Sequence, residues 1–167
     1  MQESEETLQD SIKSENHENK YLSFKLGKEE YGINIKYITE IIGLQNITHL
    51  PELPEYVKGV INLRGKVIPV IDVRLRFGKE EREYDERTCM IVTHINEMSV
   101  GLIVDMVSEV LDIASKQIDP PPKMSKSAES RFIQGLGKVE EEVKIILDIN
   151  NLLYEEEMEI IAQANQN

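Results

Sequence analysis

Few residues of this chain combine the types and spacing that catalysis or metal binding requires. His17, His49 and His94 are far apart, and none is spaced from a second ligand as metal-binding histidines are. Cys89 has no base at any recognised spacing, which favours a small buried thiol over a nucleophile. Gly135-Leu-Gly137 lacks the further glycine and the helix start of a phosphate-binding loop. We therefore expect no catalytic residue, no metal, no cofactor and no enzyme activity.

Two carboxylate residues, Asp72 and Asp148, have the type needed for an acid–base pair. They occupy the same position in two related segments of the chain, however, and a repeated position favours a structural role. Glu40 and Glu109 form a second repeated pair, to which the same reasoning applies. Arg64 is not repeated, so the fold does not require it. It is either a solvated turn residue or a group that makes a forked contact with a partner carboxylate.

An internal duplication explains the repeated positions. Residues 31–41 align without a gap on residues 100–110, at an offset of 69. Residues 56–73 align on residues 132–149, at an offset of 76, so seven extra residues lie in the connection of the second copy. Because the two blocks occur in the same order, the sequence indicates two copies of one unit.

The repeated residues are predicted to lie on short strands. Leu22, Phe24 and Leu26 alternate with polar residues before a turn and a second alternating run, and residues 60–72 show the same hairpin pattern. Each copy predicts about five strands, which close into a small barrel. A unit of roughly 65 residues is marginally stable alone. The two barrels should therefore pack face to face, and their apolar seam is a place where a binding groove can form.

The charge of the chain excludes some partners. Of the 167 residues, 40% are hydrophobic and 30% are charged, and the formal net charge is −12. Residues 1–20 and residues 151–167 each carry −4, so the acidity is concentrated at the two ends. This balance argues against nucleic acid and anionic membranes as partners. No window approaches the ~18 apolar residues of a membrane span. The single cysteine excludes an intramolecular disulfide, which is typical of a cytoplasmic protein.

The predicted organisation has five parts. They are a flexible acidic tail (1–19), a first barrel (20–86), a second barrel (87–150), a C-terminal amphipathic helix (151–162) and a frayed end (163–167). The tail is polar and has no cationic start followed by an apolar run, so it is not a secretory signal. A flexible tail is expected to leave partner affinity nearly unchanged when it is removed.

The sequence closely resembles the CheW family of bacterial chemotaxis coupling proteins in several stretches. These are Glu29–Ile33, the block Leu50–Arg74, Gly101–Asp105 and Phe132–Gly137, and the block is the most specific of them. The resemblance extends from about Tyr21 to Tyr154. It implies a mainly β fold of two five-stranded SH3-like β-barrels, in agreement with the duplication, and a short helix follows at the C-terminus.

The resemblance also implies a non-catalytic adaptor. Such a protein joins the histidine kinase CheA, through its regulatory domain, to the cytoplasmic tips of methyl-accepting chemotaxis receptors, and helps to build their array. The receptor's helical hairpin is expected in the groove between the barrels. The receptor-facing residues, carried over by position, are Ile38, Glu40, Gly59, Arg64, Cys89, Met90 and Val110. The kinase-facing residues, less secure from sequence, are Lys66, Val67, Ile68 and Val70. The protein is expected in the cytoplasm, recruited to membrane receptor arrays by its partners without inserting into the membrane.

A docking module of the same type that serves another kinase or receptor system is the alternative function, because the sequence does not name the cognate partner. A relative that carries a response-regulator domain is disfavoured, since 167 residues leave no room for a phosphoacceptor domain. Binding of both a kinase regulatory domain and a receptor tip would separate the adaptor from this alternative.

Overall fold

Alternating apolar residues form the hairpins that the sequence predicts. A computed structural model describes the chain at Leu8, Gln9, Ile12, residues 18–121, residues 131–153, Glu157 and residues 159–162. In this part of the chain the strands are β1 (Lys20–Leu26), β2 (Glu29–Asn34), β3 (Ile38–Gly43), β4 (Val57–Leu63), β5 (Lys66–Asp72), β6 (Cys89–Ile95), β7 (Met98–Val104), β8 (Met106–Asp112), β9 (Ile118–Asp119), β10 (Ile133–Val139) and β11 (Glu142–Leu147).

Helical structure is short in the described residues. Helix α1 (Val73–Arg76) follows β5, and 3-10 helices cover Ile35–Tyr37, Ser115–Gln117 and Ile149–Asn151. Residues 159–162, within the segment predicted as a C-terminal helix, are helical. The fold is therefore mainly β, as predicted.

The strands form two sheets. Sheet A has the order β8-β1-β2-β11-β10-β9, and sheet B has the order β3-β6-β7-β5-β4. Strands β3 and β4 are the two outer strands of sheet B. An ion pair between Glu40 of β3 and Arg64 of the β4–β5 turn shows that these two edges of the sheet lie close together. Sheet B thus curls on itself. We call the two curled sheets barrel A and barrel B.

The two barrels do not follow the two halves of the sequence. Barrel B takes the hairpin β6–β7 from the second copy and three strands, β3, β4 and β5, from the first. Barrel A takes the hairpin β1–β2 from the first copy and four strands, β8 to β11, from the second, so it has one strand more than the predicted five. The predicted boundary between residues 86 and 87 therefore does not separate the barrels. The physical reason is that β3 and β8 give their backbone hydrogen bonds to the first strand of the other copy, and adjacency in sequence does not decide such pairing.

The register of the strands matches the offsets of the sequence duplication. The parallel pairing of Gly32 with Ile146 in barrel A corresponds to the parallel pairing of Gly101 with Val70 in barrel B. Leu22 opposite Val110 likewise corresponds to Ile91 opposite Ile41. The duplication is thus present in the backbone pairing, with strands exchanged between the copies.

Three apolar clusters hold this arrangement together. The largest contains buried residues of both barrels, including Phe24, Ile33, Ile41, Leu102 and Phe132, and forms the seam between them. Two smaller clusters fill the barrel interiors. The predicted face-to-face packing through a shared apolar seam is therefore present, and it removes from water the apolar surface that each barrel alone would expose.

The N-terminal segment departs from a freely solvated tail at two positions. Leu8 and Ile12 are 3% and 4% exposed and belong to the seam cluster. They are apolar residues in an otherwise polar stretch, and burial in the seam removes their side chains from water. Most other residues of the predicted tail, and the predicted frayed end at 163–167, lie outside the described residues.

Candidate binding groove between the barrels

An open cleft of about 300 Å³ lies between the two barrels. Its walls come from β3 of barrel B, the start of β8 of barrel A, the start of β6 and the N-terminal segment. The lining residues are Leu8, Ile41, Ile42, Gly43, Glu86, Arg87, Thr88, Cys89, Met106 and Val107. We call this cleft the groove.

Two edge strands flank the groove. In the described sheets β3 pairs only with β6, and β8 pairs only with β1, so each has one side whose backbone groups are not used by the sheet. Every residue of β8 from Met106 to Leu111 is half-buried. An edge strand with half-buried apolar side chains is a surface on which another chain can dock.

The apolar side chains of the two edge strands repeat across the duplication, and Ile41 and Val107 among them line the groove. The offset of 69 places Ile38 with Val107, and Ile41 with Val110. All four side chains pack in the seam cluster, the two isoleucines buried and the two valines half-buried. Cys89 packs against the same cluster and lines the groove. The structure therefore brings the predicted Ile38, Cys89 and Val110 into one apolar region.

A charged pair joins β3 to the β4–β5 turn on barrel B. Arg64 has φ +51° in the β4–β5 turn, where Asn62 Oδ1 accepts a hydrogen bond of 2.8 Å from the Gly65 amide. Its side chain is 67% exposed, and its guanidinium donates to the carboxylate of Glu40. The two residues predicted to set the register of a partner are thus in contact.

Barrel A does not repeat this pair. The position equivalent to Arg64 is Glu140, which has the same left-handed backbone with φ +57° in the β10–β11 turn. The position equivalent to Glu40 is Glu109. Among the described residues neither Glu109 nor Glu140 takes part in an ion pair, so the arginine–glutamate pair distinguishes barrel B.

Two predicted receptor-facing residues are interior instead. Met90 is fully buried and belongs to the interior cluster of barrel B. Gly59 is buried with φ +143°, and a Cβ there would lie 2.1 Å from the Thr48 carbonyl oxygen. At Gly135, the equivalent glycine, a Cβ would lie 2.8 Å from the Asp119 carbonyl oxygen. These glycines let two backbones approach closely in both copies, which is a structural role.

Of the four residues predicted to face the kinase, two are exposed and two are buried. Lys66 is exposed, its ammonium donating to Ser99 Oγ at 3.1 Å, and Val67 is 49% exposed. Ile68 and Val70 are buried in the interior of barrel B, so their side chains support the hairpin and present no surface.

Ile41, Met106 and Val107 line the groove but are missing from the sequence-based site. The duplication contains a signal for two of the missing positions. Ile38 and Val110 were assigned to the site, and their repeat partners are Val107 and Ile41. A site on the seam between two copies is lined by both members of each pair. Leu8 had no such signal, because it precedes the repeats.

The repeated aspartates act as structural groups. Asp72 caps α1 by accepting from the Leu75 amide at 3.3 Å, and it also accepts from the Tyr84 hydroxyl at 2.7 Å. Burial, together with this hydrogen bond, raises the pKa of Tyr84 above its usual value. Asp148 is the N-cap residue of the following 3-10 helix, where its carboxylate accepts from the Asn151 side-chain amide at 2.9 Å and makes no cap hydrogen bond to the backbone. Each aspartate thus stabilises a chain turn after a strand.

The groove offers recognition surface and little chemistry. The Cys89 thiol donates to the Arg87 carbonyl oxygen at 3.2 Å. Among the described residues no group of three or more His, Cys, Asp or Glu side chains could hold a metal ion. None of the helices in this part of the chain has the length and apolar content that crossing a bilayer requires.

Comparisons with known proteins agree with this geometry. The CheW-like domain family matches residues 20–157. A "Chemotaxis protein CheW" of Klebsiella aerogenes is 40% identical over 141 residues, which cover 84% of this chain and 85% of the relative. A protein of the same name from Rhizobium meliloti is 34% identical over 138 residues, covering 83% and 89%. The crystal structure of "scaffolding protein TtCheW" from Thermoanaerobacter tengcongensis superposes with a TM-score of 0.78 at 36% identity, covering 84% of this chain and 95% of that one.

Proposed function

Because the chain belongs to the CheW-like family, we propose that it is a non-catalytic adaptor that couples methyl-accepting chemoreceptors to the histidine kinase CheA. A scaffolding protein as structural neighbour and relatives named for chemotaxis support this proposal. The protein acts in the cytoplasm and reaches membrane receptor arrays through its partners. The observation that carries the proposal is the groove, whose apolar lining, with the charged pair on its edge strand β3, fits a helical partner.

The receptor side of the adaptor is the groove. Ile41 and Val107 line the groove from the two edge strands, and their repeat partners Val110 and Ile38 pack in the same seam cluster. An amphipathic helix buries its apolar stripe on such a surface, as helix-in-groove complexes do. A partner carboxylate next to Arg64 can take over the forked contact that Glu40 now receives.

The kinase side of the adaptor is the exposed end of the β4–β5 hairpin. Lys66 and Val67 present a cation and an apolar side chain at its start. Arg64 lies in the turn of the same hairpin and pairs with Glu40 on the strand that lines the groove. A receptor helix that engages Arg64 therefore contacts the hairpin on which the kinase docks. This contact is a short physical connection between the two partners.

Charge reversal at Arg64 tests the receptor side. In calorimetric titration with a fragment containing a chemoreceptor hairpin tip, Arg64→Glu should weaken binding about tenfold or more, because it places a second carboxylate beside Glu40. Binding of the CheA regulatory domain should persist. The thermal midpoint should change by only a few degrees, since an exposed ion pair contributes about 0–1 kcal/mol.

The matched control is Glu140→Lys in the equivalent turn of barrel A. It reverses a charge on the same backbone conformation, and it should leave binding of the receptor fragment nearly unchanged. An equal loss of binding in both variants would contradict a receptor contact that depends on the arginine–glutamate pair of barrel B. Binding of neither partner by the folded wild-type protein would move the function to another kinase or receptor system.

Substitution of Val67 tests the kinase side. Val67→Glu should weaken binding of the CheA regulatory domain about tenfold, because it places a charge in an apolar contact. The control is Val143→Glu, the equivalent position in barrel A, which is 54% exposed. An unchanged affinity for Val67→Glu would move the kinase contact away from this hairpin.

A further inference from the structure

Three residues near the N-terminus are already seated at the groove. The Leu8 side chain lines the groove together with Ile41 and Cys89, and Ile12 is buried in the same seam cluster. Between them, the Gln9 side-chain amide donates to the carbonyl oxygen of Ile41 on the edge strand β3. We call Leu8, Gln9 and Ile12 the N-terminal anchor.

The anchor has the properties of a docked helical ligand. Leu8 and Ile12 are four residues apart, a spacing that places both side chains on one face of a helix, and all three residues are helical. Both apolar side chains are almost completely removed from solvent. The polar side chain of Gln9 satisfies a carbonyl group at the exposed edge of a sheet. These are the contacts that a partner helix would make in the same groove.

From these contacts we infer that the N-terminal anchor is a built-in competitor, which an incoming amphipathic helix must displace to occupy the groove. This inference rests on the proposed function, since it concerns the same groove. It reverses the expectation that the N-terminal segment leaves affinity unchanged. A partner binds only the molecules whose groove is open, so its apparent dissociation constant is the intrinsic value divided by the fraction of molecules with an open groove. An anchor seated for about nine-tenths of the time weakens the partner about tenfold.

The single cysteine gives a measurement that needs no partner. Cys89 is half-buried and lines the groove together with Leu8, so release of the anchor should increase the access of a reagent to its thiol. The test uses the full chain with Leu8→Ser and Ile12→Ser together. Its two readouts are the rate of Cys89 reaction with 5,5′-dithiobis(2-nitrobenzoate) and the affinity for a chemoreceptor hairpin-tip fragment. The control is Glu18→Gln, an exposed position in the same segment.

We expect faster thiol reaction and about tenfold tighter binding of the fragment in the double variant, with both values unchanged in the control. Should the double variant unfold, as a lower thermal midpoint would show, Leu8→Ser alone is used, because Leu8 is the anchor residue that lines the groove. Unchanged rate and affinity would overturn the inference and leave the proposed function intact. Weaker binding would also overturn it, since the anchor would then belong to the partner's docking surface. Faster thiol reaction with no binding by any form would overturn the proposed function.

Discussion

Barrels A and B pair their equivalent strands in the same order, with β9 as an additional edge strand of barrel A, and they have different interiors. Barrel B is filled by six buried apolar side chains, which are Ile61, Ile68, Val70, Met90, Val92 and Ile103. The equivalent positions of barrel A are Gly137, Lys144, Ile146, Tyr21, Ser23 and Asn34. The duplication has thus kept the backbone pairing, while glycine or polar residues stand at four of these six positions in barrel A. A smaller apolar cluster of Tyr21, Ile113 and Ile146 fills the interior of barrel A. Pairing of the strands and filling of the interior are separable requirements of this fold.

Packing in the seam explains why barrel A is stable with fewer apolar side chains in its interior than barrel B. An aromatic series crosses the seam, in which Phe24, Tyr31, Phe77 and Phe132 follow one another with ring centroids 5.5, 5.6 and 5.4 Å apart. Aromatic residues of this kind bury large areas and dominate the energetics of a core. Because both barrels contribute to the seam, the apolar surface buried there stabilises barrel A as well as barrel B.

A buried cation is the clearest difference between the two interiors. Lys144 takes the place of Ile68, and its ammonium lies against the carboxylates of Glu30 and Glu142. Burial, followed by the positive charge of Lys25, lowers the pKa of Lys144 below its usual value. Barrel A therefore relies on ion pairs at a position where barrel B relies on apolar packing.

The largest expected effect on stability concerns the chain corner before β8, and the equivalent corner before β3 provides the comparison. The buried carboxylate of Asp105 accepts from Arg74 at 2.7 Å, from Arg82 at 3.0 Å and from the Gly27 amide at 2.7 Å. Asp105→Ala removes the acceptor of all three and should cost about 3–5 kcal/mol in the free energy of unfolding. Urea denaturation measures this value.

The repeat supplies the control for Asp105. Its equivalent residue, Lys36, is exposed and lies 5.1 Å from the Tyr37 ring centroid. Lys36→Ala should cost less than about 1 kcal/mol. Similar losses of stability in Asp105→Ala and Lys36→Ala would contradict the interpretation that the two copies stabilise these corners by different interactions.

The next effect concerns the interior of barrel B. Ile68→Ala removes a fully packed side chain and leaves a cavity, so it should cost about 3 kcal/mol, measured by urea denaturation. Val67→Ala, at the adjacent exposed position, should change the stability by about 0.5 kcal/mol or less. A loss below about 1 kcal/mol for Ile68→Ala would show that the interior of barrel B contributes as little as that of barrel A.

The smallest effect concerns Lys144. Lys144→Met exchanges a buried cation for an apolar side chain of similar length and should change stability at pH 7 by about 1 kcal/mol or less, in the stabilising direction. Its pKa is lower in the folded state, so the unfolded chain binds more protons between the folded and unfolded pKa values. The stability of the wild-type protein should therefore rise relative to Lys144→Met as the pH increases through this window.

Urea denaturation of both proteins at pH 7 and at about pH 10 measures this difference. A large loss of stability for Lys144→Met at neutral pH would show that the ion pairs to Glu30 and Glu142 hold barrel A together. In that case the stability of barrel A would depend on its interior side chains as much as the stability of barrel B does.

Much of the fold follows from local sequence patterns. The hairpins at residues 20–34 and 57–72 follow from alternating apolar residues and turn residues, and the duplication follows from alignment of the chain with itself. The assignment of strands to barrels does not follow. β3 pairs with β6, about 50 residues further along the chain, and nothing within β3 distinguishes this partner from β1. Long-range pairing of this kind depends on the whole fold.

The candidate site was predictable to a similar degree. Cys89 lines the groove and Val110 packs against the seam cluster, Glu40 and Arg64 pair with each other, and Met90 faces the barrel interior. The error has a physical cause. Strand β6 is buried on both faces from Met90 to Thr93, so alternation alone does not tell which of its side chains point into the barrel interior.

By itself the sequence determined the mainly β class, the two copies, the short hairpins and the family, because each depends on local pattern or on residue identity. Only the tertiary structure decided that the copies exchange strands, which side chains line the groove, and that Leu8 and Ile12 are seated in the seam. These features depend on contacts between residues far apart in the chain. Their free energy depends on how closely the complete set of surfaces packs, and no local pattern contains that information.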